Sequence, residues 1–230
     1  MPRSPLRFAG LAVLAVLGAL AIVAFGTRLA GSSPRSVAGS APDPQPNALQ
    51  RVAIFAGGCF WSMQKAFAEV EGVVGTTAGY AGGTRANPTY EQVESEETGH
   101  AESVKVIYDP AKISYEQLLD VYWHHIDPLT PNAAFCDHGP QYRSIIFYGD
   151  SAQQRAAEES KRALDDSHRF PTPIVTAIQS ATPFYAAVEY HQMFYKKNPA
   201  HYEAYRIGCR RDERTRQLWG EVAMTKEMAK

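Results

Sequence analysis

The alternation of hydrophobic and polar positions changes character several times along the chain. From Phe8 to Gly26 the run "FAGLAVLAVLGALAIVAFG" carries no charge and is apolar on every face, with Arg3 and Arg7 ahead of it and Arg28 behind. A bilayer core takes about 20 apolar residues, whereas the apolar region of a cleaved signal peptide is about 7 to 15 long. The run therefore predicts an N-terminal hydrophobic helix within residues 1–30, either a membrane anchor through residues 8–26 or a signal segment removed on export. Basic residues ahead of it place the following domain on the extracytoplasmic, periplasmic side, anchored or secreted. Residues 31–48, rich in Ser, Pro, Gly and Ala, offer nothing to pack and read as a disordered linker.

A globular pattern begins near Leu49. Arg51 to Ala56 reads as a buried strand, and two glycines permit a sharp turn into "CFWSMQKAFAEV", where Phe60, Met63, Phe67 and Val70 recur at helical spacing. Residues 72–83 read as an extended segment closed by glycines, and "AESVKVIYD" at 101–109 alternates as a strand. Ser114 with Gln117 and Ser151 with Gln154 look like capping boxes ahead of two helices. "RSIIFYG" and "TPIVTAIQS" read as further strands, and "YAAVEYHQMFYKKN" as a helix stopped by Pro199. Strands and helices alternate without a glycine-rich phosphate loop, which predicts a two-layer α/β or α+β domain over 49–230, helices packed on a mixed sheet, with a C-terminal tail from about 200.

Composition narrows the chemistry. With 45% hydrophobic and 20% charged residues and a formal net charge of -1, the 230-residue chain offers nothing that would attract nucleic acid. Its three cysteines, Cys59, Cys136 and Cys209, lie far apart with no CxxC, so no metal site is expected. An odd count in an exported chain leaves at least one thiol outside an intramolecular pair.

Cys59 falls at a helix start, where unpaired N–H groups and the helix dipole favour a thiolate by about 0.3–1 kcal/mol when exposed and about 2 kcal/mol when partly buried. That is a modest gain, and taken alone the motif fits a packed, inert thiol equally well. Phe60 and Trp61 could wall a small apolar pocket or simply fill the core. Glu102 is more informative: period-two alternation puts it on the face of Val104, Val106 and Tyr108, where burial would raise its pKa and suit it to general acid work. The alternative is a carboxylate at the strand's first turn that reaches water. Tyr90, Asp137 and Tyr142 fall in turn-rich segments, where functional groups concentrate. A Cys-His pair with His100 or His138 is conceivable, but no spacing marks one.

The stretches "GCFW" (58–61), "GYAGG" (79–83), "NPTYEQV" (87–93), "TGHAESVKVIYDP" (98–110), "DHGPQYRS" (137–144) and "EYHQMFYKKNP" (189–199) occur in an order that closely resembles the A-type peptide-methionine (S)-S-oxide reductases. The resemblance covers about residues 52–199. It implies a ferredoxin-like α/β plait and a reaction in which Cys59 attacks the sulfoxide sulfur, forming a sulfenic acid and releasing methionine. Glu102 would protonate the sulfoxide oxygen, Tyr90 and Tyr142 would hydrogen-bond it, Asp137 would fix the polar network, and Phe60 and Trp61 would seat the substrate methyl and select the S epimer. Substrates would be oxidised proteins or free methionine sulfoxide, met by a monomer with no bound cofactor, its electrons coming from thioredoxin or a thioredoxin-like protein.

The chain departs from the family pattern at Ser62, Glu96 and Phe135, where glycine is common, and at Cys136, which replaces Asn. The resemblance implies a second thiol that resolves the sulfenic acid. Cys209, in an "IGC" stretch that reads as a flexible turn, is the expected resolving residue, with Cys136 as the alternative.

Overall fold

The computed structural model describes residues 41–220. In chain order the elements are β1 (Arg51–Ala56), α1 (Phe60–Ala68), β2 (Val73–Ala81), α2 (Tyr90–Glu94), β3 (Ala101–Tyr108), α3 (Tyr115–His124), β4 (Ala133–Ala134) and β5 (Asp137–His138). After a 3-10 turn at Pro140–Tyr142 follow β6 (Ile145–Tyr148), α4 (Ser151–Asp166), β7 (Ala177–Ser180), β8 (Tyr185–Ala186), α5 (Phe194–Lys197), α6 (Pro199–Gly208) and α7 (Arg211–Trp219).

Six strands form one mixed sheet in the order β7-β6-β1-β3-β2-β8, and β4 and β5 pair separately. Neighbours in the large sheet are antiparallel except β6 and β7, which run parallel. The connection β1-α1-β2 leaves room for β3 between its strands, and β3-α3-β6 leaves room for β1. The expected α+β domain with helices on a mixed sheet is therefore what the chain forms.

Alternation along the central strands sorts side chains between two cores. Ala53 and Phe55 of β1, with Val104, Val106 and Tyr108 of β3, enter the larger core beneath the helices. Phe55 stacks on Phe67 of α1 and Tyr122 of α3 at centroid distances of 4.9 and 5.2 Å. Each such ring removes enough apolar surface from water to contribute about 1.5–3 kcal/mol. The buried Tyr122 hydroxyl donates to the Ala56 carbonyl at 2.8 Å, which ties α3 to the end of β1 just before the glycine turn.

The opposite face of the sheet is covered by Ile54, Ala56, Ala81, Ala101, Ile145 and Phe147, with Phe184 packed against them. Lys105, buried on this face, pairs with Asp43 and donates to the Pro44 carbonyl at 2.9 Å. Ala41 N–H donates to Ala187 O at 3.1 Å, so residues 41–44, expected as linker, lie against the domain.

Several expected boundaries shift for local reasons. Ser114 and Gln117 form the expected capping box, but α4 is capped by Asp150, whose carboxylate accepts from Ala152 and Gln153 N–H, leaving Ser151 as the first helical residue. The expected helix "YAAVEYHQMFYKKN" breaks up because Tyr185–Ala186 pair with β2 and the Gln192 amide bonds to Ala78 and Ala187. Helix resumes at Phe194, and Pro199 opens α6 rather than ending its predecessor, since the first helical position needs no N–H partner. The described part of the tail is two helices, and Cys209, the C-cap of α6, opens the two-residue turn between them, with Ile207 and Gly208 helical.

Among the described residues no helix is long and apolar enough to cross a membrane. The expected membrane-anchored or exported, extracytoplasmic placement is corrected accordingly; the run 8–26 on which it rested lies outside the described residues.

Candidate active site

The turn before Cys59 depends on both glycines. Gly58 has φ +88°, and a Cβ there would lie 2.5 Å from the Ala134 Cβ; one on Gly57 would lie 2.5 Å from Ile126 Cγ2. Cys59 then takes the N-cap of α1, with its carbonyl accepting from Ser62 and Met63 N–H, while its side chain caps nothing. The first N–H of the helix, that of Phe60, goes instead to Glu102 Oε2 at 2.9 Å.

Glu102 is 2% exposed and Cys59 is 7% exposed, so neither group is solvated by bulk water. Burial holds the Glu102 carboxyl well above the usual carboxylate range, outweighing the opposing Phe60 hydrogen bond. Burial also pushes the Cys59 thiol up, as do the carboxylates of Glu102 and Asp137. The expectation that the helix start favours a Cys59 thiolate is thus outweighed by burial.

Hydroxyls surround the Glu102 carboxyl. Tyr80, its partner across β2 and β3, and Tyr90 and Tyr142 are each held above the ordinary tyrosine value by burial and then by the Glu102 charge. Tyr142 donates to Glu94 at 3.2 Å, and the buried Tyr80 hydroxyl has no partner among the described residues. Phe60, 1% exposed, lies 5.9 Å from Tyr80 between ring centroids. Trp61 stacks on Phe194 at 3.7 Å and donates from its indole N–H to His191 Nδ1 at 3.2 Å. His191 also packs 4.5 Å from Tyr90, and burial lowers its pKa to about 4, so it is neutral.

The tail completes the enclosure. Tyr205 of α6 meets Trp61 edge-on at 5.9 Å, and its hydroxyl donates to Asp137 Oδ2 at 2.5 Å. Arg211 is buried beside this group: it donates to the His125 carbonyl at 2.8 Å, lies 4.0 Å over the Phe135 ring, and leaves Nη1 without a partner among the described residues. Cys136 and Cys209 form a disulfide with Cα atoms 4.9 Å apart, and Cys59 is free.

The structure therefore gathers Cys59, Phe60, Trp61, Tyr90, Glu102, Asp137 and Tyr142 at one end of the sheet. It joins Cys209 to Cys136 rather than to Cys59. His100 and His138 do not form a pair with Cys59: His100 is buried against Gly83 and Tyr185, and His138 is exposed on β5. Sequence reasoning missed Tyr80, Glu94, His191, Tyr205 and Arg211. Of these, Tyr80 and His191 sat inside quoted motifs, whereas Tyr205 and Arg211 carried no local signal.

The departures from glycine have structural reasons. Glu96 and Phe135 adopt φ of +65° and +59°, a region glycine enters without cost, and Arg211 covers the Phe135 ring. Ser62 is buried and accepts a hydrogen bond from Tyr202 of α6 at 3.4 Å, where a glycine would leave that hydroxyl unpaired.

A family model described as peptide methionine sulfoxide reductase matches residues 51–223. The peptide methionine sulfoxide reductase MsrA of Ligilactobacillus salivarius is 50% identical over 167 residues, 73% of this chain and 96% of its own. That relative is matched almost end to end by the domain alone, so the likeness extends to no anchor or export segment. Among solved structures, reduced Mxr1 from Saccharomyces cerevisiae is 30% identical with a TM-score of 0.62, over 70% of this chain and 90% of its own. Methionine sulfoxide reductase A of Corynebacterium diphtheriae is also 30% identical, with a TM-score of 0.60 over 71% and 88%. With a match to most of its length and these relatives, the chain belongs to the peptide methionine sulfoxide reductase family, oxidoreductases that reduce methionine sulfoxide.

Proposed function

We propose that the chain reduces the S epimer of methionine sulfoxide, free or in proteins, by a cycle that uses all three cysteines. One observation carries this reading: Cys59 is a free thiol set beside the protonatable carboxyl of Glu102, while the other two cysteines are joined to each other.

In the first step Cys59 Sγ bonds to the sulfoxide, Glu102 gives a proton to the oxygen, and the thiol proton restores Glu102. The products are Cys59 sulfenic acid and methionine, so the oxygen has moved and two electrons have left the thiol. Tyr90 and Tyr142, neutral at pH values where the enzyme works, donate hydrogen bonds to the oxygen as charge builds on it. Phe60 and Trp61 form the apolar side of the site and seat the methyl group; Asp137 anchors Tyr205 opposite. Enclosure suits the acid, since Glu102 would be ionised and useless in water at neutral pH.

In the second step the Cys209 thiol attacks the sulfenic acid, giving a Cys59–Cys209 disulfide and water. Cys136 then attacks Cys209, forming the Cys136–Cys209 bond and returning Cys59 as a thiol. The disulfide present in the structure is the product of that step in this reading. A groove of about 330 Å³, lined by Phe135, Cys209, Arg210, Glu213 and Arg214 among others, gives an external dithiol access to it. A thioredoxin-like protein reduces it there, and no bound cofactor takes part.

The finer fold reading is a ferredoxin-like plait, supported by the order β6-β1-β3-β2 with α1 and α3 as its crossovers. The reductase domain is read as residues 49–230, with the tail from about 200 belonging to it through Tyr205 and Cys209. It acts as a monomer in this reading. Peptide mapping during a single turnover tests the cycle: Cys136→Ser should stop at Cys59–Cys209, and Cys209→Ser should prevent Cys136 from becoming oxidised.

A further inference from the structure

Tyr90 and Glu94 are the first and last residues of α2, four apart and therefore on one face of it. Thr89 fixes that helix with a capping box: its hydroxyl accepts from Gln92 N–H at 3.3 Å, and the Gln92 side chain accepts from Thr89 N–H at 3.0 Å. One short helix thus brings to the site the hydroxyl of Tyr90 and a carboxyl that takes the hydroxyl of Tyr142. The Tyr142 oxygen lies 3.2 Å from each carboxyl oxygen of Glu94, so both face it equally.

We propose that Glu94 is a positioning residue for sulfoxide reduction, one that competes with the substrate oxygen for the single proton of the Tyr142 hydroxyl and so restrains the reaction. The proposal rests on the reading above in which Tyr142 donates to that oxygen. A phenol has one proton to donate, and in the structure it goes to Glu94. An ionised acceptor holds a hydrogen bond about twice as strongly as a neutral one, so the Glu94 carboxylate outcompetes a sulfoxide oxygen that has not yet gained charge. Only as the S–O bond weakens and charge collects on the oxygen does the hydroxyl turn to it. Part of what Tyr142 contributes is therefore lost in leaving Glu94.

The groups facing Glu94 are Tyr142 and Gln141 of the 3-10 turn, Asp137 of β5, Glu96 just past α2 and Glu102 of β3, with Tyr80 and Tyr90 also within reach of its charge. None of these carries positive charge. Burial holds the Glu94 carboxyl above its ordinary value, against the opposing Tyr142 bond, and Asp137 and Glu96 add to the rise. Above that raised value the carboxylate holds the hydroxyl at full strength; below it the neutral acid holds it no better than another neutral acceptor. The Glu94 charge also raises Glu102, an effect that does not pass through Tyr142 and has to be separated from the competition.

The test measures methionine release across pH in single turnovers of the reduced full chain with N-acetylmethionine (S)-sulfoxide. Glu94→Gln keeps the size and a neutral acceptor. Above the Glu94 value it should release methionine about five- to tenfold faster than the parent, the factor between a hydrogen bond to a charged group and one to a neutral group. Glu94→Ala, with no acceptor at all, should be at least as fast. The gain should close as pH falls through the Glu94 value, and it should vanish in a Tyr142→Phe background, where there is no hydroxyl to free. A gain of the same size in that background means that Glu94 acts by charge alone and overturns the proposal. So does a rate in Glu94→Gln at or below the parent's while Tyr142→Phe alone is slow. If Tyr142→Phe alone matches the parent, Tyr142 does not serve the oxygen, and that assignment falls together with the proposal.

Discussion

The backbone N–H of Phe60 donates to Glu102 Oε2 at 2.9 Å. This bond fastens the start of α1 to β3 and sets the carboxyl beside the residue that caps the helix, Cys59. It also means that the helix lends its first amide to the acid rather than to the sulfur.

The first prediction concerns rate. Replacing Glu102 by Gln keeps the acceptor for Phe60 and removes the transferable proton. Sulfoxide reduction should fall by roughly 100- to 10,000-fold, the usual contribution of a positioned general acid. The parent rate should decline as pH rises through the elevated Glu102 value, because only the protonated form donates. Stopped-flow single turnovers across pH check both points, and an unchanged profile in Glu102→Gln would remove the acid from the mechanism.

A second prediction follows for stability. Unfolded glutamate titrates near pH 4.3, whereas burial raises the folded value of Glu102 well above that. Between the two values the native state holds the extra proton, so stability from this group is full below about pH 4.3 and is lost as pH rises through the folded value. Glu102→Gln should therefore gain on the parent protein as pH increases. Urea unfolding of both proteins at about pH 4 and about pH 7 measures the change, and a stability of Glu102→Gln that falls relative to the parent as pH rises would contradict the burial argument.

The glycine turn can be tested separately. Gly58→Ala places a Cβ 2.5 Å from Ala134 and asks alanine to adopt φ +88°. The left-handed conformation alone costs about 1–2 kcal/mol, and the contact adds to it. Denaturant midpoints should drop by at least that equivalent, and single-turnover rates should fall further because Cys59 moves with the turn.

Much of this site was legible in the chain because its residues sit on regular elements. Alternation in 101–108 put Glu102 on the face of Val104 and Val106, and β3 has that arrangement, with the helix-side core formed by Val104, Val106 and Tyr108. Helical spacing from Phe60 to Phe67 and the Ser114–Gln117 box marked α1 and α3. What could not be read depended on distant partners. Burial, with the carboxylates of Glu102 and of Asp137 far along the chain, raises the Cys59 thiol and outweighs what local rules on helix starts imply for its acidity. Residues 185–193 carry helical spacing but form a two-residue strand followed by turns, tied to β2 by Gln192 bonding to Ala78. The Cys136–Cys209 pair, 73 residues apart in sequence, has no local signature.

The apolar side of the site makes a further prediction. Trp61, stacked on Phe194 and bonded to His191, is held rigidly. Trp61→Ala should lower kcat/KM for the (S)-sulfoxide by roughly 10- to 200-fold, the range that a pocket for one small apolar group commands. Preference over the R epimer should fall with it. Equal kcat/KM in both proteins would take Trp61 out of substrate recognition.

The most direct test of the whole account is the methionine released in one turnover without added reductant. Fully reduced enzyme mixed with an (S)-sulfoxide should release methionine and leave Cys136 and Cys209 disulfide-bonded, while Cys59→Ser, which keeps the turn and the helix, should release none. Methionine release by Cys59→Ser would contradict the assignment of Cys59 as the nucleophile.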